Sequence, residues 1–496
     1  METTKSPAPR TLTVLLAAMT LLGSAAGARA DTGTVRWYDF QFRGQKVGFT
    51  KVWEETTTVG GQPAVEVHQD SRTELARMGT EIVIDSTVVA TARPDGTPLK
   101  FVHRRTEGAQ VRRISGRRDG DEMVITQHVG ARTTEDRVKV EVGMVLASTI
   151  VPLFYPDLEK GSARSGKVIS ENEGDVQPFS YRVVQVRGEG AKKRFVVEES
   201  QGGIESRSIV RPDGVVERTD VPAMGAAFVL TKAEDALRLD AAVDIFDEAL
   251  FSASAPIPDR GELKRLELLL STESGEKPSI PTDRRQRVRS TAAGLKLVLA
   301  RLDPPRSSAR IPVKKPSKSP FLQPTPFESL DDPQLVAASA KAVGDATHVW
   351  PATQRLVRFV HDHIRSKTLS QAFTSASEAL ESREGDCTEH AVLFSALAKI
   401  AGIPTRLVTG LVYIGGPEHQ FGYHEWVEVW TGEDWHPVDP TFGQTTADAT
   451  HIEFTTGQSD PAGLRKAGIV AGSLIGNLDI EVLAYTLDDG ETVRLK

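Results

Sequence analysis

Only one cysteine, Cys387, occurs in the 496 residues, so the chain cannot form an internal disulfide. Proteins that rely on disulfides carry cysteines in even sets, which leaves Cys387 as a small buried hydrophobe or a reactive group. Long apolar runs are also missing. Leu12 to Leu22 is short, and Ala467 to Leu478 is broken by Gly468, Gly472, Ser473, Gly476 and Asn477. Both fall below the roughly 20 apolar residues of a spanning helix, so no integral membrane segment is expected in the mature chain. Concentrated basic patches are lacking too. With a net charge of −7 and scattered Lys and Arg, nucleic acid is excluded as a partner. His68, His103 and His128 are isolated and lack metal-ligand spacing, which makes them surface or strand-face residues; neither metal nor cofactor is expected.

The first thirty residues carry an address. Lys5 and Arg10 precede the apolar run, and small residues lead to Ala28-Arg29-Ala30 ahead of Asp31, the pattern of a cleaved secretory signal peptide over residues 1–30. No cysteine lies in this segment, so a lipid cannot be attached to one there. The expected location is periplasmic or extracellular.

Residues 31–230 read as a β-rich domain. Arg36 to Phe42 and Glu81 to Asp85 alternate or cluster β-formers, and turns are marked at Arg43-Gly44, Pro94-Asp95-Gly96, Asp119-Gly120-Asp121 and Pro212-Asp213-Gly214. The expectation is an antiparallel half barrel or sandwich of no assigned role. Residues 231–303 read as a connecting region, with a helix near Lys232 to Phe251 and a strand from Glu262 to Leu270. Residues 304–328 hold Pro304, Pro305, Pro312, Pro316, Pro320, Pro324 and Pro326, interspersed with Lys314, Lys315 and Lys318. That composition predicts an extended, solvated linker, with the main boundary there. Residues 329–496 form the last domain. Helical periodicity over Val336 to Ala346 and Ala352 to Ile364 opens it. His361 and His363 lie two apart on a helix, point to different faces and make a poor metal pair.

The chemistry concentrates after residue 384. Gly385-Asp386-Cys387-Thr388-Glu389 opens a helix whose core stripe is Val392, Leu393, Leu397 and Ile400, with Gly402 and Pro404 as its stop. Asp386 and Glu389 have capping-box spacing, which sets Cys387 at the first helical position. There the free N–H groups and the helix dipole favour a thiolate, and the same amides suit an oxyanion. A strand from Thr405 to Ile414 and another from Tyr423 to Trp430 follow, then a turn into Asp434-Trp435-His436-Pro437-Val438-Asp439. A two-residue turn puts His424 opposite Asp439. A four-residue loop puts His424 opposite Thr441, with Asp439 as its same-face diagonal neighbour. Only a one-residue slip separates their faces. His390 reads as packing along the helix, His419 as a solvated loop residue, and His436 stays open. Trp426, Trp430 and Trp435 read as core and hairpin packing.

Gly385-Asp386-Cys387, Ala401-Gly402-Ile403-Pro404-Thr405-Arg406, His424-Glu425-Trp426-Val427-Glu428-Val429 and Trp435-His436-Pro437-Val438-Asp439-Pro440-Thr441 resemble, in that order, the core of the bacterial transglutaminase-like superfamily. The resemblance runs roughly from Asp331 to His451. It implies a papain-like cysteine-protease fold, a nucleophile helix packed on an antiparallel sheet, and hence an α+β class overall. It also implies a catalytic triad with Cys387 as nucleophile, His424 as base and Asp439 as the acid orienting it. The family's activity implies acyl transfer through a thioester on Cys387. Hydrolysis of peptide, protein or cell-envelope amides, by a protease or amidase, is the expected outcome. Protein cross-linking is the alternative, followed by an inactive binding protein on the same fold.

Overall fold

The structure, a computed structural model, describes residues 34–495 apart from 78–79, 109, 130–131, 240–242, 245–249, 259, 273–274, 276, 367–373 and 475–476. The signal-peptide reading of residues 1–30 therefore lies outside the described residues. Two compact units divide between Asp244 and Ile245. No helix of the described residues is long and apolar enough to cross a membrane.

The first unit is built on one 16-stranded sheet. Its strands leave Arg36–Phe42 in sequence order as far as Arg132–Lys139. On the other side Ala226–Thr231 pairs antiparallel with Arg36–Phe42, and the order runs back to Val145–Leu146. Alternation explains the elements: Arg36, Tyr38, Phe40 and Phe42 face inward while their neighbours are half-exposed. Arg43 and Gly44, at φ 49° and 80°, make the two-residue turn that the right-handed strand twist favours. Val88, Phe101, Ile114 and Ile125 of one wing share a core with Met144, Leu146 and Ile169 of the other. The sheet is thus rolled on itself, and the expected half barrel or sandwich is one large continuous sheet. His128 and His68 are both half-buried, and His68 stacks on Trp53 at 4.7 Å. His103 takes the strand-face alternative, on Pro98–Glu107. It is buried, bonded to Ser86 Oγ at 3.0 Å, and burial pushes its pKa down to about 3.

Among the described residues, the helix expected near Lys232 to Phe251 is confined to its start. Ala233–Ala236 is a single turn, and Leu250–Ser252 is a strand paired with Gln420–Gly422. Backbone pairing with a distant strand overrides local helical propensity there.

Among the described residues the second unit has two sheets. One orders Gln286–Ser290, Leu295–Ala300, Leu263–Ser271, Asp479–Leu487 and Thr492–Arg494; the other orders Leu250–Ser252, Gln420–Trp430, Thr405–Gly415 and Ile452–Gly457, with Trp435–Val438 also on Gln420–Trp430. Helices Pro333–Val343, Val349–His363 and Ala376–Ser382 pack around Cys387–Ile400, which itself packs on Gln420–Trp430 and Thr405–Gly415. Every residue of that central helix through Lys399 is buried.

The proline-rich stretch is docked at several backbone positions, although Pro304, Pro312, Lys314, Lys315, Pro320 and Pro324 stay exposed as expected. Ala309 N donates to Thr431 O at 2.7 Å, Ile311 N to Thr347 O at 3.1 Å and Val313 N to Gly402 O at 2.8 Å, while Val313 and Phe327 are buried. Prolines lack an N–H, but the residues between them find backbone partners on the second unit. Lys318 lies 3.8 Å from the Trp430 ring centre and 4.8 Å from that of Trp435, so its charge rests on aromatic faces.

Candidate active site

Cys387 is the first residue of its helix, as its neighbours dictate. Asp386 caps it, accepting from Thr388 N at 2.8 Å, and Glu389 Oε2 accepts in return from Asp386 N at 2.8 Å. The Cys387 side chain is buried. One expectation changes here. The Thr388 and Glu389 amides are engaged by the Asp386 carboxylate, so they are not free to bind an oxyanion. His390 Nδ1 meets Asp386 O at 2.6 Å, along the helix as expected. Burial, joined by the Asp386 charge and a hydrogen bond to its carboxyl, pushes Glu389 up to about 8.

His424 lies on Gln420–Trp430, the strand against which the Cys387 helix packs. Trp430 pairs with Trp435 and Val427 with Val438, so the connecting loop has four residues and Asp439 is the diagonal neighbour of His424. The side chains meet: His424 Nε2 lies 2.6 Å from Asp439 Oδ2, with both residues buried. Asp439 Oδ1 accepts from Thr441 N at 2.7 Å and Phe442 N at 3.2 Å. The Nε2–H tautomer follows, because a carboxylate only accepts. His424 Nδ1 is buried and has no hydrogen-bond partner, which leaves its lone pair for a proton. Gly410 sits opposite His424, where any Cβ would strike Ile452 O at 1.8 Å and Trp426 at 2.8 Å; glycine permits this close strand approach.

Two residues escaped the sequence reading. His451 Nε2 also reaches Asp439 Oδ2, at 3.0 Å, and His451 Nδ1 lies 3.2 Å from both Asp448 O and Asp448 Oδ1. Asp448 is held by Thr450 N at 2.8 Å, Thr450 Oγ1 at 2.6 Å and Gln444 Nε2 at 2.7 Å. The only local hint is the Asp448-Ala449-Thr450-His451 turn at the edge of the motif region. Burial opposes charge on Asp439, Asp448 and His451. The His424 and His451 imidazoles nevertheless hold Asp439 well below the ordinary carboxylate range, and Asp448 with Asp439 raises His451.

The other histidines support rather than join this cluster. His436 is buried, bonded to Thr446 Oγ1 at 3.0 Å and set edge-on to Trp350, and burial pushes it down to about 4. His361 Nδ1 reaches Pro440 O and Thr441 O at 3.3 and 3.2 Å, tying the turn after Asp439 to a helix. His363 bonds to Leu380 O at 2.7 Å. His419 is a turn residue at φ 53°. Trp426 is wholly buried, with its ring edge-on to His451 at 5.0 Å.

Among the described residues, two groups have donor atoms converging within 4.8 Å: His424, Asp439 and His451, and Asp283, Glu428 and Glu453. The first is closed by the direct hydrogen bonds just given. In the second, Arg406 binds Glu428 Oε2 at 2.5 Å, which supplies the positive charge an ion would bring.

Residues 337–440 match the family model of the transglutaminase-like superfamily. The chain carries a transglutaminase-like domain. A protein-glutamine gamma-glutamyltransferase of Pseudomonas aeruginosa is similar to it, 36% identical over 101 residues, which is 18% of this chain and 15% of that protein. The chain thus matches only a small part of that relative's length. A candidate cysteine protease from Cytophaga hutchinsonii superposes on 47% of the chain and 89% of its own, with 16% identity and a TM-score of 0.30. A β-barrel-like protein from Brucella abortus covers 40% of this chain and 96% of its own, with 10% identity and a TM-score of 0.30.

Proposed function

We propose that the chain is an exported cysteine-dependent acyl-transfer enzyme, with Cys387 as nucleophile, His424 as base and Asp439 holding that base, in a papain-like arrangement. The observation that carries this reading is the His424 imidazole. Its Nε2–H is fixed on Asp439 at 2.6 Å and its Nδ1 is buried and unpartnered, on a strand that packs against the Cys387 helix. Nδ1 takes the thiol proton and the sulfur attacks the amide carbonyl. The C–N bond then breaks as the imidazolium protonates the leaving amine, and a thioester remains on Cys387. Water or a second amine, deprotonated by His424, releases the acyl group.

Export from residues 1–30 and the amide chemistry together favour hydrolysis of peptide, protein or cell-envelope amides by a protease or amidase. Cross-linking is the second reading, supported by the name of the Pseudomonas aeruginosa relative. Incubation with a thiol-directed activity probe, followed by peptide mapping, should label Cys387 in wild type and not in His424→Ala. Equal labelling of both forms would refute the proposed base. A fluorescent primary amine added with a glutamine-containing protein separates the outcomes: incorporation means transfer, and its absence with free acid formed means hydrolysis.

A further inference from the structure

We propose that His451 is a positioning residue for the base: a buried imidazolium clamped between Asp439 and Asp448 that orients the Asp439 carboxylate and sets its hold on the His424 proton. This inference rests on the proposed role of His424. Around His451, Nε2 faces Asp439 Oδ2, while Nδ1 faces Asp448 O and Asp448 Oδ1. All three partners are acceptors, so each ring nitrogen must carry a hydrogen, and a ring with two N–H groups is a cation. The His451 side chain has no solvent exposure, and two carboxylates provide its counter-charge. Asp448 is in turn fixed by Thr450 and Gln444, so the clamp cannot swing away without losing three hydrogen bonds.

The consequence reaches His424 through a shared atom. Asp439 Oδ2 accepts from both imidazoles, at 2.6 and 3.0 Å, and its other oxygen is taken by the Thr441 and Phe442 amides. A cation on that oxygen offsets part of the carboxylate's charge, which weakens its preference for a protonated His424. The other charges near His451 are few. The Arg285 guanidinium donates to the His451 carbonyl at 2.5 Å, and Glu453 lies two residues along the chain. Trp426 and Phe442 meet the ring in edge-on contacts and carry no charge.

The test uses the full chain with 15N-labelled histidine. Wild-type His451 should show two protonated ring nitrogens across pH 5 to 9, whereas a neutral imidazole in that range would overturn the proposal. In His451→Gln, the alkaline limb of the Cys387 alkylation profile should move up by about one pH unit, because Asp439 regains its full charge toward His424. A purely structural role would lower stability without moving that limb, so a superimposable profile also overturns it. If His451→Gln does not fold, Asp448→Asn serves. Loss of one carboxylate should bring the His451 titration down into the measurable range, and an unchanged titration refutes the clamp. An inert wild-type Cys387 would instead defeat the proposed function, leaving the nitrogen spectra to judge His451 separately.

Discussion

Trp430 stands directly opposite Trp435, and this pairing fixes the register that carries Asp439 to His424. In Asp439→Asn the amide oxygen can keep the Thr441 and Phe442 N–H groups, but its NH2 then faces two imidazole N–H donors. His424 must adopt the Nδ1–H tautomer, which removes the lone pair proposed to accept a proton. Turnover should fall by about 10³ to 10⁴ with the circular dichroism spectrum unchanged. A rate near wild type would show that Asp439 serves only its turn.

The thiol should be reactive in acid. A helix amino terminus and a nearby imidazole lower a cysteine pKa, so iodoacetamide should alkylate Cys387 quickly below neutral pH. A rate that rises only near about 8.5, the ordinary thiol value, would indicate an unactivated cysteine.

Glu389 predicts a stability profile. Its folded pKa, about 8, lies above the ordinary 4.5, so the folded state binds the extra proton between those values. Stability from this group is greatest below about 4.5 and declines as pH rises toward 8. Glu389→Gln keeps a neutral group that can donate to Asp386, and should flatten that decline in urea melts at pH 5, 7 and 9. An unchanged slope would place the pH dependence elsewhere.

Lys399 and Glu328 form an ion pair with neither side chain exposed, and Ser459 Oγ donates to the other Glu328 oxygen at 2.7 Å. Lys399→Met strands a buried carboxylate and should cost about 3–5 kcal/mol in chemical denaturation. Adding Glu328→Leu should recover much of that loss, since the pair's removal as a unit leaves no uncompensated charge. A single substitution costing under about 1 kcal/mol would show that water reaches the pair.

Export predicts a mature amino terminus at Asp31. Sequencing of native protein that finds mainly an intact Met1 form in the cytosol would contradict it.

Local chemistry in the sequence determined where the Cys387 helix begins. Asp386 and Glu389 sit three apart, a spacing whose reciprocal hydrogen bonds form within one turn, so the position of Cys387 needs no distant partner. Strand alternation likewise put His424 and Asp439 on one face for either even loop length; the four-residue loop then made the contact diagonal. Only tertiary structure could bring in His451 and Asp448. Ile452–Gly457 returns beside Thr405–Gly415, and Gly410, paired with His424 on one side and Glu453 on the other, lets the strands close there. No sequence period records which loop arrives at a carboxylate. The same limit explains residues 232–251 and 304–328. Their propensities predicted a helix and a solvated linker, but hydrogen-bond partners far along the chain, such as Gly422 for Leu250 and Gly402 for Val313, make Leu250–Ser252 a strand and dock the proline-rich stretch while much of it stays exposed.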